Sequence, residues 1–433
     1  MVDLRLNETR FLAILRELVS LGDRLQNAPD AGLVPKESLA ADVVMRVLAP
    51  HIESGFIEAE RLAAPGFETR ESLVLTVRGT GPRALGFVGA HFDVVPADRV
   101  AEGWERDPFA LWVGEDGTLY GRGVTDCLGH VAVLTDLLAQ MAERQWRPER
   151  TLKVVLIANE EDAPLPEVGL DYVVEQGKLA TLKGEPVVWL DSADFGPTVG
   201  TAGMAMWELE AHGVTGHSGM PQNCVNALEL AMAASLALGD WFRRTFPPHE
   251  QEKPYAFLSP SSMKATVVSA ANNKVSKIPG HVRVEGDLRL TPFYDMAQAM
   301  DQARRFVANL DQSLEKGETP PGFPSTRTAD GRRGKLSLRW KGRFMEGIAC
   351  HLDSPALDAL TQAVEVARGD GGAKPFSLTG SLPLVRDLQR GGFDVQITGF
   401  GRSSYYHAPN EQAELRHFRE GFVILRELLQ RLS

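Results

Sequence analysis

Apolar residues recur along this chain with two different periods, and the texture changes near residue 205. Before that point, short apolar runs alternate with stretches in which apolar residues return every three to four positions. The runs 72–77, 84–88, 151–158 and 186–190 are bounded by turn residues and rich in Val, Leu and Ile. Such runs predict buried strands of a mostly parallel sheet. The stretches 7–21, 38–52 and 131–144 carry the helical period and predict helices. Strand–helix alternation of this kind predicts an α/β domain.

After residue 205 the strands alternate strictly between apolar and polar positions. Strands are predicted over 206–211, 263–269, 281–290 and 335–341, and helices over 226–246 and 297–314. The order β-α-β-β-α-β is that of a ferredoxin-like α+β sandwich. It predicts an inserted domain over 205–348, with 317–334, rich in Pro, Gly, Thr and Arg, as a surface loop. Residues 349–433 read helix, strand, helix and return to the first sheet. The expected domains are therefore 1–204 with 349–433, and 205–348.

Composition narrows the function classes. The 433 residues are 43% hydrophobic and 24% charged, as in ordinary globular proteins, and suffice for two domains. A net charge of −11 argues against a nucleic-acid partner. No apolar stretch reaches the length of a membrane span, and the first residues lack a signal core. Cys127, Cys224 and Cys350 have no paired spacing, which argues against a disulfide framework or a four-cysteine zinc site. A reduced, cytoplasmic setting is expected.

Candidate chemistry sits where strands end. His91 and Asp93, in Gly89-Ala90-His91-Phe92-Asp93, close the run 84–88. Residues two apart on a strand share a face, so the Asp93 carboxylate can fix the His91 tautomer while the other ring nitrogen binds metal. Taken alone, a His-x-Asp is more often a structural loop histidine than a metal ligand, and it is the rest of the chain that reverses this. Asp126 lies between a hairpin and a helix start, Glu160 and Glu161 follow the strand 151–158, and Asp191 follows 186–190. In open α/β sheets, ligands bind outside the carboxyl ends of strands, so these groups should converge on one crevice. His407, in Tyr405-Tyr406-His407-Ala408-Pro409-Asn410-Glu411, offers a second imidazole. Two histidines with several carboxylates suit Zn²⁺ or a similar ion better than Ca²⁺ or Mg²⁺. A shared carboxylate with further ligands on each side would hold two ions and leave Glu160 free as a base.

These segments resemble, in order, the motifs of the M20 metallopeptidase and deacylase family. The resemblance rests on His91-Phe92-Asp93-Val94-Val95-Pro96, on Gly121-Arg122-Gly123 followed by Asp126, on Glu160-Glu161, on Asp191, and on His407-Ala408 followed by Asn410-Glu411. It implies a zinc-hydrolase catalytic domain with a mostly parallel sheet and an inserted ferredoxin-like lid and dimerisation domain. It further implies two divalent ions per chain, Zn²⁺ with Co²⁺ as an alternative, bridged by Asp126. His91 and Asp191 would complete one site, Glu161 and His407 the other. Glu160 would be the general base and Asp93 the partner of His91. In the lid, His217 within Gly216-His217-Ser218-Gly219 would stabilise the oxyanion at the partner protomer's site. Arg289, following Ile278-Pro279, would pair with a substrate carboxylate, to which a guanidinium fork is matched. Gly380 and Ser381 would contact substrate. A homodimer through the lid is expected.

Within the family, Gly123–His130, Phe246–Glu252, 262–266 and 376–388 are similar to the plant-type branch acting on N2-acetyl-L-ornithine. That similarity implies release of acetate and L-ornithine, a step of arginine biosynthesis. The alternatives are a succinyl-diaminopimelate desuccinylase, an acetylcitrulline deacetylase, or an aminoacylase or dipeptidase. Cys127-Leu128 stands where many relatives have Asp or Met followed by Lys. Ser276, with Asn272 and Asn273 upstream, stands near the position of a lid Asn. Cys127 is not read as a nucleophile, because no base is assigned to it.

Overall fold

A computed structural model describes residues 4–161, 167–271, 274–369, 374–382 and 384–433. These residues divide into two compact units. The first comprises 1–199, 350–376 and 383–433, and the second 200–349 with 377–382. The segment 377–382, which the periodicity leaves with the outer parts of the chain, clusters with the second unit.

The first unit is built on an eight-stranded sheet. Its centre is the strand Ala84–His91, buried at every position, flanked in parallel by Thr151–Ile157 and Pro186–Leu190. Asp394–Thr398 adds in parallel to Pro186–Leu190. Ser72–Val77 and Glu58–Leu62 extend the other side antiparallel, so the sheet is mixed at its edges. All-apolar strands need cover on both faces. Helices Glu8–Ser20, Glu37–Glu53, Leu128–Glu143, Pro355–Arg368 and Leu415–Arg431 contribute their buried faces to the same core as these strands. Helix Leu128–Glu143 is buried at fifteen positions from Leu128 to Ala142, which is why its apolar pattern runs nearly all round. Four strand ends, His91, Ile157, Leu190 and Thr398, lie along one edge of this parallel core, and the chain leaves each toward the groups described below.

The second unit is a four-stranded antiparallel sheet in the order Ser262–Ala270, His281–Leu290, Gly203–His212, Lys335–Met345. Helices Ala227–Thr245 and Met296–Lys316 cover one face, and their apolar stripes meet Ala205, Trp207, Leu209, Val282, Val284 and Leu288 in a separate core. The strand His281–Leu290 alternates half-buried and buried along its length, as its period-two sequence requires. This is the ferredoxin-like order expected from the pattern. Among the described residues, no helix is long and apolar enough to cross a membrane. Cys127, Cys224 and Cys350 are buried, and no disulfide forms among the described residues.

Candidate metal centre

His91 is the last residue of the central strand and is fully buried. Its Nε2 lies 3.2 Å from Asp126 Oδ1, 3.7 Å from Asp191 Oδ1 and 4.0 Å from Glu160 Oε2. The second oxygen of Asp126 lies 3.3 Å from His407 Nε2, which is 3.1 Å from Glu161 Oε2. One carboxylate thus stands between two imidazoles, with a further acid beside each. The six side chains picked out along the sequence come together, although they span most of the chain.

Sequence alone gives the orienting role to the Asp93 carboxylate. The closer partner of His91 Nδ1 is Asp93's own carbonyl oxygen at 2.8 Å, and the carboxylate lies at 3.5 Å. Asp93 is instead occupied by other donors. Its carboxylate accepts from the amides of Glu160 and Glu161, at 3.0–3.1 Å, and from Asn27 Nδ2 at 2.8 Å. A buried anion with several N–H donors is well satisfied, and this one ties the turn bearing both glutamates to the end of the central strand. Behind it, Asn27 donates to Asn159 Oδ1, which also accepts from Arg70, and Arg70 pairs with Glu37 at 2.7 Å. Asn27, Arg70 and Glu37 carry no periodic signal and were missed. Asn159, directly before the glutamate pair, sits at φ 58°, a left-handed conformation that Asn tolerates better than most residues.

Glu411 is the other residue left without a role by sequence. Its fully buried carboxylate accepts from Arg122 at 2.8 Å and from the amides of Gly123, Thr125 and Asp126, at 3.1, 2.8 and 3.1 Å. It therefore holds the loop that presents Asp126.

The electrostatics describe a site short of positive charge. Burial, then the charges of Asp191 and its neighbours, push Glu160 well above the usual carboxylate range. Burial and the Asp126 charge raise Glu161 to about 7. Hydrogen bonds to Asp126 and Glu161 raise His407 to about 11. Burial opposes the charged form of His91, yet its anionic surroundings lift it well above an ordinary histidine. Glu161 Oε1 is buried with no hydrogen-bond partner. Divalent cations would satisfy this donor set: two imidazoles, one two-sided carboxylate and an acid on each side match the geometry of a shared-carboxylate pair. His91, Asp126 and Glu161 present ligand atoms within 4.8 Å of one another, as do His91, Cys127 and Asp191. Cys127 differs from the others, because burial pushes its thiol well up in pKa and the thiol donates to the Leu190 carbonyl. A protonated thiol is neither nucleophile nor good ligand.

One buried neighbour predicts acid sensitivity. His130 Nε2 accepts from the Phe400 amide at 2.8 Å, the rings stack at 5.1 Å, and burial lowers its pKa to about 4. The folded pKa lies below the unfolded value of about 6.5. The neutral ring's contribution is therefore complete above about pH 6.5 and is lost as pH falls toward 4, amounting to about 3 kcal/mol. Urea titrations between pH 7 and 4 should show this loss, with a shallower acid limb for His130→Asn.

The remaining candidates lie in the second unit. His217 is exposed on the short strand Gly216–His217, and its Nδ1 accepts from the Gly219 amide. Arg289 donates to Asp287 at 2.6 Å and to Ser381 Oγ at 3.3 Å, so Arg289 and Ser381 are neighbours. The Gly380 carbonyl accepts from Ala202, and space around its Cα is open. The Ser276 carbonyl accepts from the Ser218 amide, while Asn272 and Asn273 lie outside the described residues.

Residues 87–431 match the family described as peptidase family M20/M25/M40. The chain belongs to this family. Full-length M20 relatives include an acetylornithine deacetylase of Dictyostelium discoideum, 38% identical over 442 residues covering 99% of this chain and 98% of that one. An acetylornithine deacetylase of Arabidopsis thaliana is also 38% identical, covering 99% and 96%. A succinyl-diaminopimelate desuccinylase of Xanthomonas campestris is 29% identical over 63% of this chain. The fold is shared with the dipeptidase Dug1p of Saccharomyces cerevisiae, at a TM-score of 0.72 and 18% identity, covering 98% and 96%. It is shared too with a dinuclear metal-binding M20 peptidase of Bacillus subtilis, at a TM-score of 0.56 and 14% identity, covering 98% of each.

Proposed function

We propose that this M20 protein is a metal-dependent amidohydrolase that releases acetate from N2-acetyl-L-ornithine, yielding L-ornithine for arginine biosynthesis. The observation that carries the chemistry is Asp126, whose two oxygens face two different imidazoles, each with its own acid. The substrate choice rests on full-length similarity to the two acetylornithine deacetylases.

In this reading His91, Asp126 and Asp191 would hold one divalent ion, and Glu161, Asp126 and His407 would hold the other, zinc being the ion best suited to the donors. Bound there, the ions would supply Lewis-acid chemistry and make water a stronger nucleophile at neutral pH. Glu160 takes the proton released as water attacks the acetyl carbonyl. It then delivers that proton to the departing α-amine. Asp93 keeps His91 and the Glu160–Glu161 turn in register. Arg289 binds the substrate carboxylate, with Gly380 and Ser381 beside it, and substrate competes with Asp287 for the guanidinium. His217 stabilises the oxyanion across a homodimer formed by the second unit, the lid.

Purified protein loaded with zinc should hydrolyse acetylornithine in preference to acetylcitrulline and succinyl-diaminopimelate. Chelation should abolish turnover and zinc should restore it. Activity confined to succinyl-diaminopimelate would replace the substrate assignment and keep the chemistry. His217→Ala should lower kcat about 10²–10³-fold with a smaller effect on KM, the cost typical of losing one oxyanion donor. Undiminished kcat in that variant would remove His217 from the reaction.

A further inference from the structure

The face of the second unit's sheet opposite its helices carries another histidine–carboxylate cluster. We propose that Glu210, His212 and His281 form a further binding site for a divalent transition-metal ion of the zinc class, pinning strand Gly203–His212 to strand His281–Leu290. The site owes nothing to the catalytic reading above.

The register builds it. Glu210 and His212 are two apart and share a face, and His281 stands directly opposite His212 in the antiparallel pair. The two imidazoles stack with centroids 4.6 Å apart and planes 22° apart. Both Nε2 atoms turn toward the same carboxylate: His212 lies 3.6 Å from Glu210 Oε2, and His281 lies 3.7 Å from Glu210 Oε1. These separations are too long for hydrogen bonds. They match ligands around one small cation, because tetrahedral zinc bonds of about 2.1 Å set their ligand atoms about 3.4 Å apart. The three groups present ligand atoms within 4.8 Å of one another. His281 Nε2 is shielded from water and has no hydrogen-bond partner, an unmet need that coordination would meet.

The donors also select the ion. Two imidazoles with one carboxylate favour Zn²⁺, Co²⁺, Ni²⁺ or Cu²⁺ over Mg²⁺ and Ca²⁺. Three protein ligands leave a fourth position for water, and His212 is exposed enough for an ion to enter. Neighbouring cations set the strength. Lys335 stands opposite His212 and Arg283 opposite Glu210, though Arg283 also lies 3.3 Å from Glu208. Their charge weakens the site relative to the buried centre of the first unit.

The test is zinc stoichiometry by equilibrium dialysis of the whole protein, followed by metal analysis, over a range of free Zn²⁺. Wild type should bind one more equivalent per chain than the His212→Ala/His281→Ala protein, at higher free zinc than its tightest sites require. Turnover of the two proteins with the tight sites filled should be equal. Should the double variant fold poorly, His281→Gln alone should lose the extra equivalent. Equal zinc content in wild type and a folded variant across the range overturns the proposal.

Discussion

Glu160→Gln is expected to lower kcat about 10³-fold or more while the protein keeps its fold and its bound metal. The side chain is isosteric, and the Glu160 amide would still donate to Asp93. What disappears is a carboxylate able to take a proton and return it, a function worth about 10²–10⁴-fold in general acid–base catalysis. The surroundings fit that use. Burial and the Asp191 charge raise its affinity for a proton, and its Oε2 stands 4.0 Å from His91 Nε2 without replacing Asp126 or Asp191 as that ring's nearer partner. Metal analysis and steady-state kinetics on one preparation check it. Near wild-type kcat with full metal would remove the base assignment. Loss of metal with loss of activity would move Glu160 among the ligands.

Glu411→Ala should be the most damaging single change to stability near the centre, at about 3–5 kcal/mol in urea unfolding. The variant leaves the Arg122 guanidinium buried without its carboxylate, and breaking one side of a buried pair costs that much. It also strips an acceptor from three amides of the loop 123–126. Because that loop presents Asp126, metal affinity should fall about 10–100-fold even where the variant is fully folded, as when groups that orient ligands are removed. Glu411→Gln keeps an acceptor for part of this set and should lie between. A folded Glu411→Ala protein with wild-type metal affinity would mean that the loop holds its shape without this clamp.

Much of this arrangement was legible because it obeys local rules. His91, Glu160 and Asp191 each follow an apolar run, and parallel strands must end at one edge, so convergence could be read from pattern. The inserted sandwich declared itself through the change from continuous to alternating apolar positions near residue 205. The supporting groups were not legible. Glu411 and Arg122 meet only when the end of the chain folds back onto the loop after Tyr120, and neither has a spacing that announces the other. Asp93 shows the same limit: its distance from His91 along the strand was readable. That its carbonyl would face the ring while its carboxylate gathered three donors depended on how the backbone leaves the strand. The strap 377–382 joins the second unit through short-range pairing, such as the Leu378 amide to the Gly200 carbonyl, which leaves no trace in periodicity.

Asp126 faces one imidazole from the first quarter of the sequence and another from the last few dozen residues. During synthesis His91, Asp126 and Asp191 emerge from the ribosome long before His407 and Glu411 exist. A nascent chain can therefore bring together five of the six side chains, but on a loop whose clamp has not yet been translated. A product truncated before residue 407 would lack the second imidazole as well as the Glu411 clamp, so the proposed metal centre would be missing one ligand and the support of its shared carboxylate.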